Sequence, residues 1–183
     1  MKSIHRWSAS LAVVAVIALN FILGQASPAL GQASPASVEG LGDKIAGTYL
    51  AVQEDGAQVL QIGRDGNLRA VLSIQFTGGG VLGESFSNTL GSWHTTGRRE
   101  VTARTVDLTF QSGNVFVGVA AATLVITFNE TFETAIATSE GAIFPPGVNP
   151  FAADAEPIAG SGFRSRFEFH RIPVIEGKNL NHR

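Results

Sequence analysis

The chain has 183 residues, with 13 lysines and arginines against 15 aspartates and glutamates, and it contains no cysteine. A formal net charge of −2 supplies no basic surface of the kind that nucleic acids or anionic membranes select, so neither is expected as a partner. Without cysteine there can be no disulfide framework, thiolate chemistry, lipidated-cysteine anchor or cysteine-rich zinc site.

The first 33 residues read as an export signal. Lys2, His5 and Arg6 make a basic start, and residues 11–23 are apolar apart from Asn20. That run matches the ~7–15 residues of a signal-peptide core and falls short of the ~20 that span a bilayer. The heptad LGQASPA follows twice, at 23–29 and 30–36, and offers small residues before a cut after Ala26 or Ala33. An uncleaved anchor is the alternative. Cleavage after Ala33 leaves residues 34–183, enough for one domain with its own core and no membrane span. The expected organisation is a signal at 1–33, a flexible leader at 34–43, a β domain at 44–174 and a polar tail at 175–183. Its expected location is the periplasm or the medium.

From Lys44 onward, short runs rich in Val, Ile, Thr and Phe alternate with glycine-containing turns, which predicts an all-β chain. Strands are expected at 45–53, 57–62, 67–76, 91–96, 101–111, 115–128, 131–138 and 162–172. Asp65-Gly66 between two apolar runs is a hairpin signal, and Ser112-Gly113-Asn114 closes another. Gly78-Gly79-Gly80 reads as a loose loop, since no helix follows to make it a phosphate cradle. The stretch 145–157 holds four of the seven prolines and predicts an irregular loop. No segment predicts an amphipathic helix.

Residues 68–76 alternate with the even positions apolar, and Phe163, Phe167 and Phe169 share one face of the last strand. The strand 115–128 is apolar on both faces. Its outer face then needs a cover, from a second copy of the chain or from the proline-rich loop. Eight antiparallel strands in meander order favour a single closed barrel, because closure removes sheet edges, with a two-sheet sandwich as the alternative. A barrel of this size is filled by side chains or holds one small ligand.

No catalytic spacing is present, so no catalytic residue, metal or cofactor is expected. Three side chains are candidates for ligand binding. Trp93 and His94 point to opposite faces of one strand, and Trp93, the costlier to leave in water, is expected inside with Gly91 and Gly97 ending the strand. Tyr49 is either the phenol of a pocket or a barrel-closing aromatic. Arg104 shares parity with Val106, Leu108 and Phe110; it meets an anionic ligand or a glutamate there, or reaches out to solvent. His170 and His182 are expected on the surface. Glu130 and Glu133 point apart, which argues against joint acid–base work.

Gly47-Thr48-Tyr49, the Asp65-Gly66 hairpin, Gly91-Ser92-Trp93 followed by Thr96-Gly97, and an arginine-bearing last strand together resemble the calycin barrels. Those include the lipocalins and avidins. The same order of motifs resembles a group of exported bacterial barrels. The resemblance covers about residues 45–172 and implies a barrel that binds a small apolar or amphipathic molecule, with no ligand identity carried over. Lipocalins place Gly-x-Trp on the first strand, where this chain has Tyr49. Allene oxide cyclase-like and dirigent-like barrels supply an enzyme alternative: a cofactor-independent cyclase or isomerase using Tyr49, His94 or Arg104. A third reading is a non-enzymatic envelope or assembly protein that self-associates through Val115–Phe128.

Overall fold

The computed structural model describes residues 40–54 and 56–174. The expected signal, most of the leader, the tail and His182 lie outside them. In chain order the elements are a helix α1 (Leu41–Ile45), strands β1 (Gly47–Gln53), β2 (Gly56–Ile62) and β3 (Asn67–Leu72), and a 3-10 helix (Ser73–Phe76). Then come β4 (Ser85–Phe86), β5 (Thr89–Gly97), β6 (Glu100–Gln111), β7 (Val115–Phe128), β8 (Thr134–Phe144) and β9 (Phe163–Arg171). Apart from the two-residue β4, which lies beside β6, each strand pairs antiparallel with its chain neighbour. The last returns to the first through Tyr49↔Arg171 and Leu50↔His170. The result is a closed, eight-stranded, up-and-down barrel with one extra short strand, compatible with a calycin-like fold. No described helix is long and apolar enough to cross a membrane.

Strand positions follow the alternation, apart from β8, which runs on to Phe144 where an end at residue 138 was expected, and from three further departures. Leu41–Ile45 forms a helix where a leader and strand start were expected, and β1 begins at Gly47. Five residues cannot sustain a helix alone, so tertiary contacts hold it: Leu41 and Ile45 are buried in the barrel core. Second, β3 stops at Leu72 and the 3-10 turn reverses the alternation beyond it. Phe76, expected inside, is 77% exposed, while Gln75 is buried. Gln75 accepts a hydrogen bond from the Leu72 N–H and donates one to Asn88 Oδ1, so its polar ends are satisfied. Third, Gly91 lies inside β5 rather than at its end. A Cβ there would stand 2.4 Å from the Arg104 carbonyl oxygen, so only glycine allows β5 and β6 to approach so closely.

The inward face is set by small side chains. Ala51, Ala70, Ala103, Ala135 and Ala137 are buried, together with Leu60, Leu68, Val101, Leu124, Ile126 and Phe169. One end of the barrel is tightly sealed. The Arg171 guanidinium donates to the carbonyls of Lys44 (2.7 Å) and Ala46 and lies over the Tyr49 ring, 5.6 Å from its centroid. It thereby satisfies carbonyls that a helix C-terminus leaves open and fixes α1 across the end. The Tyr49 hydroxyl donates to the Ile45 carbonyl at 2.9 Å, and its ring meets Phe128 edge-on. Phe132 closes the adjacent β7–β8 turn at φ 61, a conformation strained for a bulky residue. Its neighbour Asn129 accepts the N–H groups of Glu133 and Thr134 and holds that turn.

Part of the outer face of β7 lies beneath the proline-rich loop, while Thr123 and Thr127 on the same face stay exposed. The proline-rich loop folds back so that Pro150 and Phe151 stand over Ala121 and Thr123 of β7 and Gly141 of β8. Ser161, fully buried, anchors the far end of the loop through its hydroxyl to both backbone groups of Ile143. Val115 and Phe116, at the start of β7, stay exposed.

Candidate functional site

Opposite the sealed end, the small inward residues leave space. A cavity of about 160 Å³ lies in the lumen between Leu72, Leu124, Ile143, Phe163, Phe167 and Phe169. Cavity size follows from the strand sequences. Ala70, Ala120, Ala122 and Ala137 face it from β3, β7 and β8, where larger residues would fill it. Gly79, Gly80 and Val81 border it from the loop after the 3-10 helix. That loop is folded rather than loose. Gly80 donates to the Glu84 carbonyl at 3.0 Å, and the Glu84 carboxylate accepts the Leu82 N–H at 2.7 Å. A side chain at position 80 would collide with that carboxylate.

Polar groups enter this apolar space at a few places. Gln58 from β2, Thr89 from β5, Thr105, Asp107 and Thr109 from β6, and Glu84 all line it. Some are satisfied internally: Thr109 donates to the Gly118 carbonyl at 2.9 Å and Thr105 to that of Ala122 at 3.4 Å. Two are not. Gln58 Oε1 and Asp107 Oδ1 are buried and have no hydrogen-bond partner. Burial pushes the Asp107 carboxyl up from 3.8 to about 6, against the opposing hydrogen bond from the Thr89 hydroxyl. Buried polar atoms are nearly always paired, so two orphan oxygens on one cavity mark a place where a further donor fits.

None of the three candidates from the sequence borders this cavity. Tyr49 is at the sealed end under α1, where burial raises its phenol pKa against the nearby Arg171, with Glu133 adding to the rise. Trp93 does point inward, but it packs on the sealed-end core beside Gly42 and donates its indole N–H to the Gly63 carbonyl at 3.0 Å. Arg104 is on the outer face, its guanidinium 5.6 Å from the centre of the Phe151 ring. The face of β6 chosen from its bulk (Arg104, Val106, Leu108, Phe110) is the outer one. The inner face is Val101, Ala103, Thr105, Asp107 and Thr109. His94 is exposed, and so is His170, which stands 3.7 Å from Glu168. Tyr49, His94 and Arg104 therefore do not converge on one pocket. Glu130 meets Arg99 at 3.4 Å on the surface. Among the described residues no three His, Asp or Glu side chains cluster so as to hold a metal ion.

The residues that do line the cavity carried one readable signal. Asp107 shares strand parity with Val101, Ala103 and Thr105, an acid on a face of small residues. Gln58 likewise shares parity with Leu60 and Ile62. Comparison with protein-family models, with curated proteins and with solved structures finds no match to this chain.

Proposed function

We propose that this chain is an exported binding protein of the lipocalin and avidin type, which holds one small apolar or amphipathic molecule in its lumen. The observation that carries the reading is the lumenal cavity of about 160 Å³, walled by hydrocarbon and bordered by the unpaired oxygens of Gln58 and Asp107. An engineered interior cavity of roughly 150 Å³ in another protein binds benzene, so this volume suits a single small ring or short chain. A few polar groups in an apolar pocket is the usual composition of a small-molecule site. The Tyr49–Arg171 closure supports the lipocalin-like reading, since it ties the first strand, the last strand and the preceding helix together at one end. Export rests on the basic start, the apolar run at 11–23 and the repeated Gln-Ala-Ser-Pro cleavage region.

The test is thermal stabilisation by a panel of small aromatic alcohols and amines, read in the natural chain and in Ala137→Leu. Ala137 faces the cavity from β8, so leucine there takes up the ligand's space. Panel members should raise the melting temperature of the natural chain and leave that of the folded variant unchanged. Equal shifts in both proteins would place binding elsewhere and defeat the reading.

A further inference from the structure

The lumen reading leaves the ligand's chemistry open, and the lining narrows it. Two ionisable side chains border the cavity, Asp107 and Glu84, and both are acids; among the described residues no lysine, arginine or histidine lines it. The groups around Asp107 supply no compensating charge: β5 contributes Thr89, β7 Ala120, β2 Gln58, and the loop Glu84. Glu84 is 4% exposed and already accepts the Leu82 N–H, whereas Asp107 Oδ1 has no donor. Gln58, only 7% exposed, adds a second acceptor without a partner. Four phenylalanine rings, Phe86, Phe163, Phe167 and Phe169, complete the wall.

We infer that the lumen selects a small apolar molecule bearing an ammonium group, with its charge against Asp107 and its hydrocarbon among the phenylalanines. This rests on the lumen being a ligand site. An ammonium brings up to three donors and no acceptor, which complements acceptors that lack partners. It neutralises a carboxylate that has the Thr89 hydroxyl but no counter-charge beside it, and an uncompensated charge away from water is unfavourable. Aromatic faces attract cations as well. A carboxylate ligand meets repulsion from Asp107 and Glu84 together. A neutral alcohol can donate to one oxygen but leaves the charge in place. Because burial raises the Asp107 carboxyl toward neutrality, the preference for a cation strengthens as the pH rises through that range; Glu84 is the other acid facing the space.

Calorimetric titration of the folded chain with benzylamine, benzyl alcohol and benzoate tests this. At about pH 7.5 benzylamine should bind roughly tenfold tighter than benzyl alcohol, since charge-assisted hydrogen bonds are about twice as strong as neutral ones. Benzoate should show no measurable binding. The amine's advantage should shrink at about pH 5, where Asp107 is largely protonated. In Asp107→Asn, the ratio between amine and alcohol should fall to about one. If the alcohol matches the amine in the natural chain, or if the amine's advantage survives in Asp107→Asn, the cation preference is wrong while the lumen site stands. If none of the three binds, both fall.

Discussion

Asp107 should make the folded chain less stable as the pH rises. Its carboxyl is raised from the ordinary 3.8 to about 6 in the folded state, by burial first, with the Thr89 hydroxyl opposing. Below the unfolded value both states hold the proton, and the neutral acid contributes no penalty. Between 3.8 and about 6 the folded chain keeps a proton that the unfolded chain has released, so stability falls as pH rises. Above that window both are ionised, and the folded state carries the full desolvation cost. At about 1.36 kcal/mol per pH unit the cost approaches ~3 kcal/mol. Asp107→Asn keeps the shape and removes the charge. It should match the natural chain near pH 4 and exceed it by up to ~3 kcal/mol near pH 7.5, a melting difference on the order of 10 °C for a domain of this size. Urea unfolding of both proteins at a series of pH values measures the difference directly. A gap that stays constant between about pH 4 and 8 would refute a desolvated carboxylate with no counter-charge at this position. Retaining a destabilising charge in the natural sequence is what a binding site does when its partner supplies the compensation.

Three other substitutions test the architecture. Tyr49→Phe leaves the Ile45 carbonyl without its donor and should lower unfolding free energy by about 1 kcal/mol in chemical denaturation. Arg171→Leu frees the Lys44 and Ala46 carbonyls and should speed amide exchange in α1 selectively while β5 to β7 stay protected. Gly91→Ala places a methyl against the Arg104 carbonyl and should cost about 1–3 kcal/mol, measured by the denaturation midpoint. Deleting residues 148–156 uncovers Ala121 and neighbouring outer-face residues of β7 and β8. Sedimentation should then show stronger concentration-dependent self-association than the natural chain at the same concentrations.

Much of the barrel is legible in the strand patterns. The bounds of β7 coincide with the apolar run at 115–128, and the Asp65-Gly66 turn closes β2 onto β3, with Gly66 at φ 83. The Asp65 carboxylate holds that turn by accepting the Asn67 backbone N–H, which keeps its carboxyl below the usual range. Strand parity also separates Trp93 from His94 correctly, because a pleat sends neighbours to opposite sides whatever the fold.

The site is less legible, for a physical reason. Bulk is a poor guide to the inside of a narrow barrel, where alanine and threonine fit and Leu90, Val106 and Leu108 are carried outside. Arg104 thus lies outside with the bulkier residues of β6, whereas Asp107, between two larger apolar neighbours, faces the lumen. Alternation also cannot foresee a 3-10 turn. Ile74 keeps its place at the cavity, but Gln75 turns inward and Phe76 outward once the extended backbone ends at Leu72. The helix α1 is shorter than any pattern in the sequence could specify, and depends on Arg171, over a hundred residues away.

Occupation of the lumen by a small molecule is open to direct measurement. Methyl-resolved NMR of the folded chain during titration with benzylamine tests it most directly, since alanine and leucine methyls border the cavity at Ala70, Ala120, Ala122, Leu124 and Ala137. Saturable shifts are expected at these methyls, with those of Ala46 and Ala121 unmoved. Shifts confined to Ala121 and Ala142, beneath the Phe151 loop on the outer face, would contradict it.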